Sequence, residues 1–98
     1  MAKRVIWSLR AQSDRQAILE YWHTRNGTKN YSNKLAAEFR ETVRYIAEHN
    51  YIGVATDEEK VRIAVCGHYL IFYELKKETV EVLTVWDSRR NPQNLILE

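Results

Sequence analysis

The last strand-like run of the chain leads straight into two arginines. Val82-Leu83-Thr84-Val85-Trp86 is followed by Asp87-Ser88-Arg89-Arg90. Two guanidiniums at the rim of a sheet can hold phosphates or carboxylates in bidentate fashion. An aromatic ring beside them suits stacking on a base or a peptide. Trp86, Asp87, Arg89 and Arg90 are therefore candidate contacts to a partner. The same residues also have a structural reading, in which Asp87 pairs with an arginine and braces the chain end while Trp86 completes the core. Arg62 and Arg90 are the candidates for gripping a phosphate, provided the strands pair in a register that brings them to one surface.

Other reactive side chains are scattered. His23, His49 and His68 are isolated from one another and have no metal-ligand spacing. Cys66 is the only cysteine, so neither an internal disulfide nor a thiolate metal cluster can form. It alternates with Ala64 and Arg62 and reads as packed rather than reactive. Asp57-Glu58-Glu59 reads as a solvated loop. There is no glycine-rich phosphate loop, nucleophile elbow or HExxH motif, and no cofactor or metal is expected.

The chain that must position these groups has 98 residues, enough for a single domain over residues 1–98 with one core. Its 45% hydrophobic and 29% charged content excludes disorder. No apolar run approaches the roughly 20 residues of a membrane span, and no secretory signal opens the chain, so a reducing cytoplasm is the expected setting. Residues 1–50 carry nine Lys/Arg against five Asp/Glu, a net of +4, and residues 51–98 carry six against eight, a net of −2. The basic half suits an acidic partner or RNA, and equally an ordinary solvated surface.

Periodicity then sets the elements. Arg4-Val5-Ile6-Trp7-Ser8 reads as a strand. Ser13-Asp14-Arg15-Gln16 matches a capping box, opening a helix whose apolar face is Ala17, Ile18, Tyr21 and Trp22, with Arg25 in line and Asn26-Gly27 as the stop. After a polar link over Thr28 to Tyr31, Ser32 is the expected N-cap of a second helix. Its stripe is Leu35, Ala36, Phe39, Val43, Ile46 and Ala47. So short a link predicts an antiparallel helical hairpin. Residues 51–60 read as a loop. Val61–Cys66, Tyr69–Leu75 and Thr79–Trp86 read as three antiparallel strands joined by tight turns, with the middle one central in the sheet. Pro92 is expected to fix the turn after the last strand. The expected fold is α+β, in the order β-α-α-β-β-β, with the hairpin packed on an antiparallel sheet.

This ordered set resembles the RelE/ParE superfamily of bacterial type II toxins, also called plasmid stabilisation proteins. The resemblance rests on the opening strand ending Trp7-Ser8, the helical hairpin, and Tyr69-Leu70-Ile71-Phe72-Tyr73-Glu74-Leu75. It closes on Val82-Leu83-Thr84-Val85-Trp86-Asp87-Ser88-Arg89-Arg90-Asn91-Pro92. It implies a growth-inhibiting toxin neutralised by a cognate antitoxin that wraps around the domain, giving a toxin–antitoxin hetero-oligomer. RelE-like members cleave ribosome-bound mRNA, whereas ParE-like members inhibit DNA gyrase.

The nuclease pattern is only partly present. Arg90 falls at the place of a nuclease arginine. Leu70 stands where an arginine is expected after the tyrosine of the middle strand, and Val61 and Ile63 stand where basic residues are often found, with Arg62 between them. Asp87 occupies a frequent histidine position, and residues 93–98 hold neither Tyr nor His. General acid–base catalysis supplies about 10²–10⁴-fold, so these losses matter. The resemblance therefore favours a ParE-like toxin that binds a target such as DNA gyrase. The alternatives are a ribosome-dependent mRNA endoribonuclease and a non-toxic interaction domain on the same scaffold. Leu19, away from the Ile18/Tyr21/Trp22 face, is the candidate antitoxin contact, with a minor core position as the alternative.

Overall fold

The computed structural model describes residues 2–90. The chain forms β1 (Arg4–Trp7), α1 (Leu9–Asn26), α2 (Asn30–Glu48), β2 (Val54–Ala55), β3 (Val61–Cys66), β4 (Tyr69–Leu75) and β5 (Thr79–Asp87). The two helices pack on one face of a five-stranded sheet ordered β1-β5-β4-β3-β2. The expected layering and the central place of β4 are observed. Two features correct the expectation of a four-stranded antiparallel sheet. The residues read as a loop contribute β2, which pairs Val54 with Ile63 and Ala55 with Arg62. And β1 lies parallel to β5, from Arg4 opposite Thr79 to Trp7 opposite Val82, so the sheet is mixed. Tight turns dictate antiparallel pairing only between sequence neighbours. The partner of β1 lies at the other end of the chain, and nothing local announces it.

The helix starts also move. Ser8, not Ser13, caps α1: its backbone is extended and its Oγ accepts from the Ala11 N–H at 3.0 Å. Ser13 lies inside the helix. The cap residue is followed three positions later by Ala11 rather than Glu or Gln, so the capping-box pattern passed over it. Gly27 ends α1 at φ 73°, a left-handed conformation that glycine takes without a Cβ clash. Helix α2 begins at Asn30 without a side-chain cap, and Ser32 is buried one turn in, donating to the Lys29 carbonyl at 3.1 Å. The link between the helices is only residues 27–29.

Helix α2 supplies the packing. Leu35, Phe39, Val43 and Ile46 bury against Ala64, Ile71, Tyr73, Val80 and Val82 of the sheet. Helix α1 buries only Ala11 fully, while Ile18, Leu19 and Trp22 pack half-exposed against the same core. A second, smaller cluster of Val61, Phe72 and Trp86 lies apart from this core, with Ile63, Leu70 and Leu83 around it.

A β-bulge ties α1 to the sheet. Phe72 pairs with Thr84 and Tyr73 with Val82, so Leu83 is skipped on β5. A bulge leaves ladder groups unpaired. Here the first turns of α1 take them up. Ser8 Oγ donates to the Leu83 carbonyl at 2.9 Å, and Asp14 Oδ2 accepts from the Val85 N–H at 3.2 Å and from the buried Thr84 hydroxyl. Asp14→Ala strands both donors. Stability is expected to fall by about 1–3 kcal/mol, read by denaturant unfolding; Asp14→Asn, which keeps one acceptor oxygen, should recover part of the loss.

Candidate functional site at the end of the sheet

Strand β5 delivers its last residues to a tight turn. Ser88 N–H donates to the His68 carbonyl at 2.8 Å, joining this turn to the β3–β4 turn. Arg90 N–H returns to the Asp87 carbonyl at 3.0 Å. The Arg89 guanidinium lies along the Asp87 carboxylate, with Nε to Oδ1 at 2.9 Å and Nη2 to Oδ2 at 2.8 Å. The Arg89 N–H adds a third bond to Oδ1 at 2.9 Å. Asp87 and Arg89 thus form the brace, and both carboxylate oxygens are engaged.

That brace holds the Asp87 carboxyl below its ordinary range, chiefly through the Arg89 side chain and against some desolvation. A depressed folded-state pKa stabilises the fold fully above the unfolded value near 3.9 and loses that stabilisation as pH falls through the lower folded value. The stability difference between the protein and Asp87→Asn is therefore expected to be constant from neutral pH down to about pH 4.5 and to vanish in stronger acid, as read by urea unfolding across pH.

Arg90 takes a different position. Its guanidinium lies 4.4 Å from the centroid of the Trp86 ring. Trp86 itself is 6% exposed and belongs to the second cluster, and its Nε1 finds no hydrogen-bond partner among the described residues. Trp86 therefore supports Arg90, and what it offers at the surface is offered through that guanidinium.

Between this turn and α1 runs a groove of about 520 Å³, lined by Asp87, Arg89 and Arg90 on one side and Ile18, Tyr21, Trp22 and Arg25 on the other. Tyr69 forms part of its wall: its hydroxyl accepts from Trp22 Nε1 at 2.8 Å, and its ring meets Phe39 edge-on at 5.6 Å. Burial raises the Tyr69 pKa above the ordinary phenol value. Trp22 also meets Tyr21 and Tyr31 edge-on at 5.1 and 5.0 Å. Sequence reasoning placed Tyr21 and Trp22 on the apolar face of α1, with Arg25 in line, but did not assign them to a binding surface. The signal for one was Arg25, a cation marking where that face leaves the core for the surface.

The structure does not bring Arg62 to Arg90. Arg62 pairs with Tyr73, four residues along β4 from Tyr69, which pairs with Asp87. At about 3.3 Å per residue that is already about 13 Å, before the turn carrying Arg90 begins. The Arg62 guanidinium is also occupied, donating to the Gly53 carbonyl at 2.8 Å and the Tyr51 carbonyl at 3.3 Å. A single phosphate cannot be shared by these two arginines as arranged. Leu19 packs half-exposed against the main core and lines a shallow polar groove between the helices with Arg15, Gln16 and Ala36. Cys66 is buried, and desolvation raises its thiol pKa. The turn assigned to Pro92 and the tail after it lie outside the described residues.

The charges that line the groove are unevenly committed. Among the described residues no acid pairs with Arg25 or Arg90, so its uncommitted charge is positive. Asp14 is engaged with Thr84 and Val85, and Asp87 with Arg89. No group of His, Cys, Asp and Glu among the described residues is placed to hold a metal. No described helix is long and apolar enough to cross a membrane.

A helical hairpin on one face of a five-stranded mixed sheet is an architecture with solved relatives. The fold is similar to that of a solved chain from the chromosomal ParDE toxin–antitoxin system of P. aeruginosa, with a TM-score of 0.75 at 16% identity, over 88% of this chain and 96% of that one. No curated protein matches in sequence. The family profile of the ParE toxin of the type II toxin–antitoxin system parDE matches residues 5–92, and the chain belongs to that family.

Proposed function

We propose that this ParE-family toxin arrests growth by binding DNA gyrase through the groove between α1 and the Arg89-Arg90 turn, and that a cognate antitoxin neutralises it in the bacterial cytoplasm. The observation that carries the reading is the charge state of the groove. Arg90 and Arg25 flank an aromatic wall without acidic partners among the described residues, while the nearby carboxylates are engaged. Such a surface recognises an anionic or aromatic patch on a large target. Among the described residues it holds no paired acid and base of the kind that RNA cleavage draws on.

Supercoiling of relaxed plasmid by purified gyrase is expected to fall as the protein is added. Unchanged supercoiling at saturating protein removes gyrase as the target. Primer extension on translated mRNA after induction is expected to show no codon-positioned cuts, and their appearance would transfer the function to the ribosome-dependent nucleases.

A further inference from the structure

We propose that the β2 edge of the sheet is a two-fold interface, at which a second copy of this chain lays its own β2 antiparallel to the first. Strand β2 is terminal in the sheet. It has only two residues, Val54 opposite Ile63 and Ala55 opposite Arg62. Thr56 N–H bonds the Val61 carbonyl at 3.3 Å, and in an antiparallel ladder alternate residues turn to the partner. Val54 therefore faces β3, and Ala55 presents its N–H and carbonyl outward. On β3 the same alternation turns Val61, Ile63 and Val65 toward the β2 side. Val65 lies beyond the end of β2, so its backbone groups are open as well. Neither Ala55 nor Val65 finds a partner for these groups among the described residues. An unpaired edge of this kind is a template for another strand.

An apolar patch surrounds this edge. Val54 and Val65 are 69% and 67% exposed, and Tyr45, Tyr51 and Ile52 are exposed beside them. Tyr45, Ile52, Val54 and Val65 line a groove of about 550 Å³ between α2 and the edge. A cluster of large apolar side chains on a surface marks a place that another chain covers. The charges select a second copy as that chain. The turn Asp57-Glu58-Glu59 follows β2, and none of its carboxylates pairs with a cation among the described residues. At the other end of β2, the Arg62 guanidinium lies against the Gly53 and Tyr51 carbonyls at 2.8 and 3.3 Å, and it too meets no acid among the described residues. Antiparallel pairing about a two-fold axis at Ala55 sets Asp57 of each copy opposite Gly53 of the other, beside its Arg62. The edge is complementary to itself: acidic end meets basic end twice, and the two Ala55 residues exchange both backbone bonds. A stable interface takes about 800 Å² from each copy, more than two paired residues cover, and the apolar patch extends the contact. The sheet order leaves β1 and the Arg89-Arg90 groove away from this edge.

The test is self-association of the full chain, and its outcome is independent of the toxin reading. Sedimentation velocity from about 1 µM to about 1 mM protein should show the mass rising from that of one chain to that of two. In isotope-labelled protein the amide signals of Ala55 and Val65 should move over the same range. Val54→Lys changes an exposed side chain, so it should weaken self-association at least about tenfold with Tm unchanged. Asp57→Lys with Glu59→Lys should weaken it as much, because it sets cations against Arg62 of the second copy. A single-chain mass at every concentration overturns the proposal. A dimer of unchanged affinity in both variants places the interface elsewhere and overturns it too. If the chain alone stays monomeric and the Ala55 and Val65 signals move only when the cognate antitoxin is added, the edge belongs to that partner and the second copy is excluded.

Discussion

Gly53→Ala is expected to lower stability by about 3 kcal/mol or more, which for a domain of this size is a fall in Tm of about 15 °C. The added Cβ would stand 2.6 Å from the Tyr73 hydroxyl, 2.8 Å from the Ile63 carbonyl oxygen and 2.9 Å from Tyr73 Cε1. None of the three can yield cheaply. Tyr73 is fully buried, and Ile63 is held in the ladder opposite Val54 and Phe72. Moving the loop instead breaks the bonds that hold it. The Tyr73 hydroxyl accepts from the Gly53 N–H and donates to the Asn50 carbonyl, both at 2.9 Å, and Arg62 donates to the carbonyls of Gly53 and Tyr51. Tyr73→Phe supplies the control. Alone it leaves the Gly53 N–H and the Asn50 carbonyl short of a partner, at a cost of about 1–3 kcal/mol. In that background Gly53→Ala should cost less than it does in the unaltered protein, by about 1 kcal/mol, because the nearest colliding atom is gone. The residual cost reports the collisions with the Ile63 carbonyl and with ring Cε1 of residue 73. A change in Tm under about 3 °C for Gly53→Ala alone would show that the loop moves aside and that the lock is not one.

That lock shows what the sequence conveys and what it withholds. The apolar stripe of α2 and the alternation in β3, β4 and β5 were legible because each is a local pattern; the three strands lie within a residue of their expected places, while α2 starts three residues earlier than a Ser32 cap implied. The glycine at 53 carries no such pattern. Its importance comes from Tyr73, twenty positions on, and from a backbone carbonyl of the neighbouring strand. The parallel pairing of β1 with β5 and the bulge at Leu83 are of the same kind, produced when distant segments meet. The site was half legible. Arg89 and Arg90 stood out as adjacent cations after a strand, and the sequence raised the Asp87 pairing as an alternative role. What it could not show is that the two arginines divide the work, one bound to a carboxylate and one laid over an indole. It also could not show that Arg62, one of two candidates for a shared phosphate, serves the far loop.

This division separates the roles experimentally. Arg90→Glu is expected to lower growth-arrest activity and target affinity at least about 30-fold, the loss typical of a hot-spot side chain at an interface centre, with Tm nearly unchanged. Arg90 is exposed, and the one described contact of its side chain is the face of Trp86, so little of the fold depends on that side chain. Arg62→Ala is expected to do the reverse. It removes the donor to the carbonyls of Gly53 and Tyr51 and the cation beside the Tyr51 ring at 5.4 Å, which should lower Tm while leaving the activity of the folded fraction intact. Arg89→Ala falls between them. It frees the Asp87 carboxylate at the groove wall, placing an uncompensated negative charge beside Arg90, and should weaken target binding less than Arg90→Glu does. A nuclease built on Arg62 and Arg90 predicts another pattern, in which both substitutions remove activity equally and neither acts through stability. Measuring growth arrest and thermal unfolding on the same three variants therefore decides between a binding surface at the end of β5 and a phosphate grip spread across the sheet. Equal loss from Arg62→Ala and Arg90→Glu at unchanged Tm would overturn the binding reading.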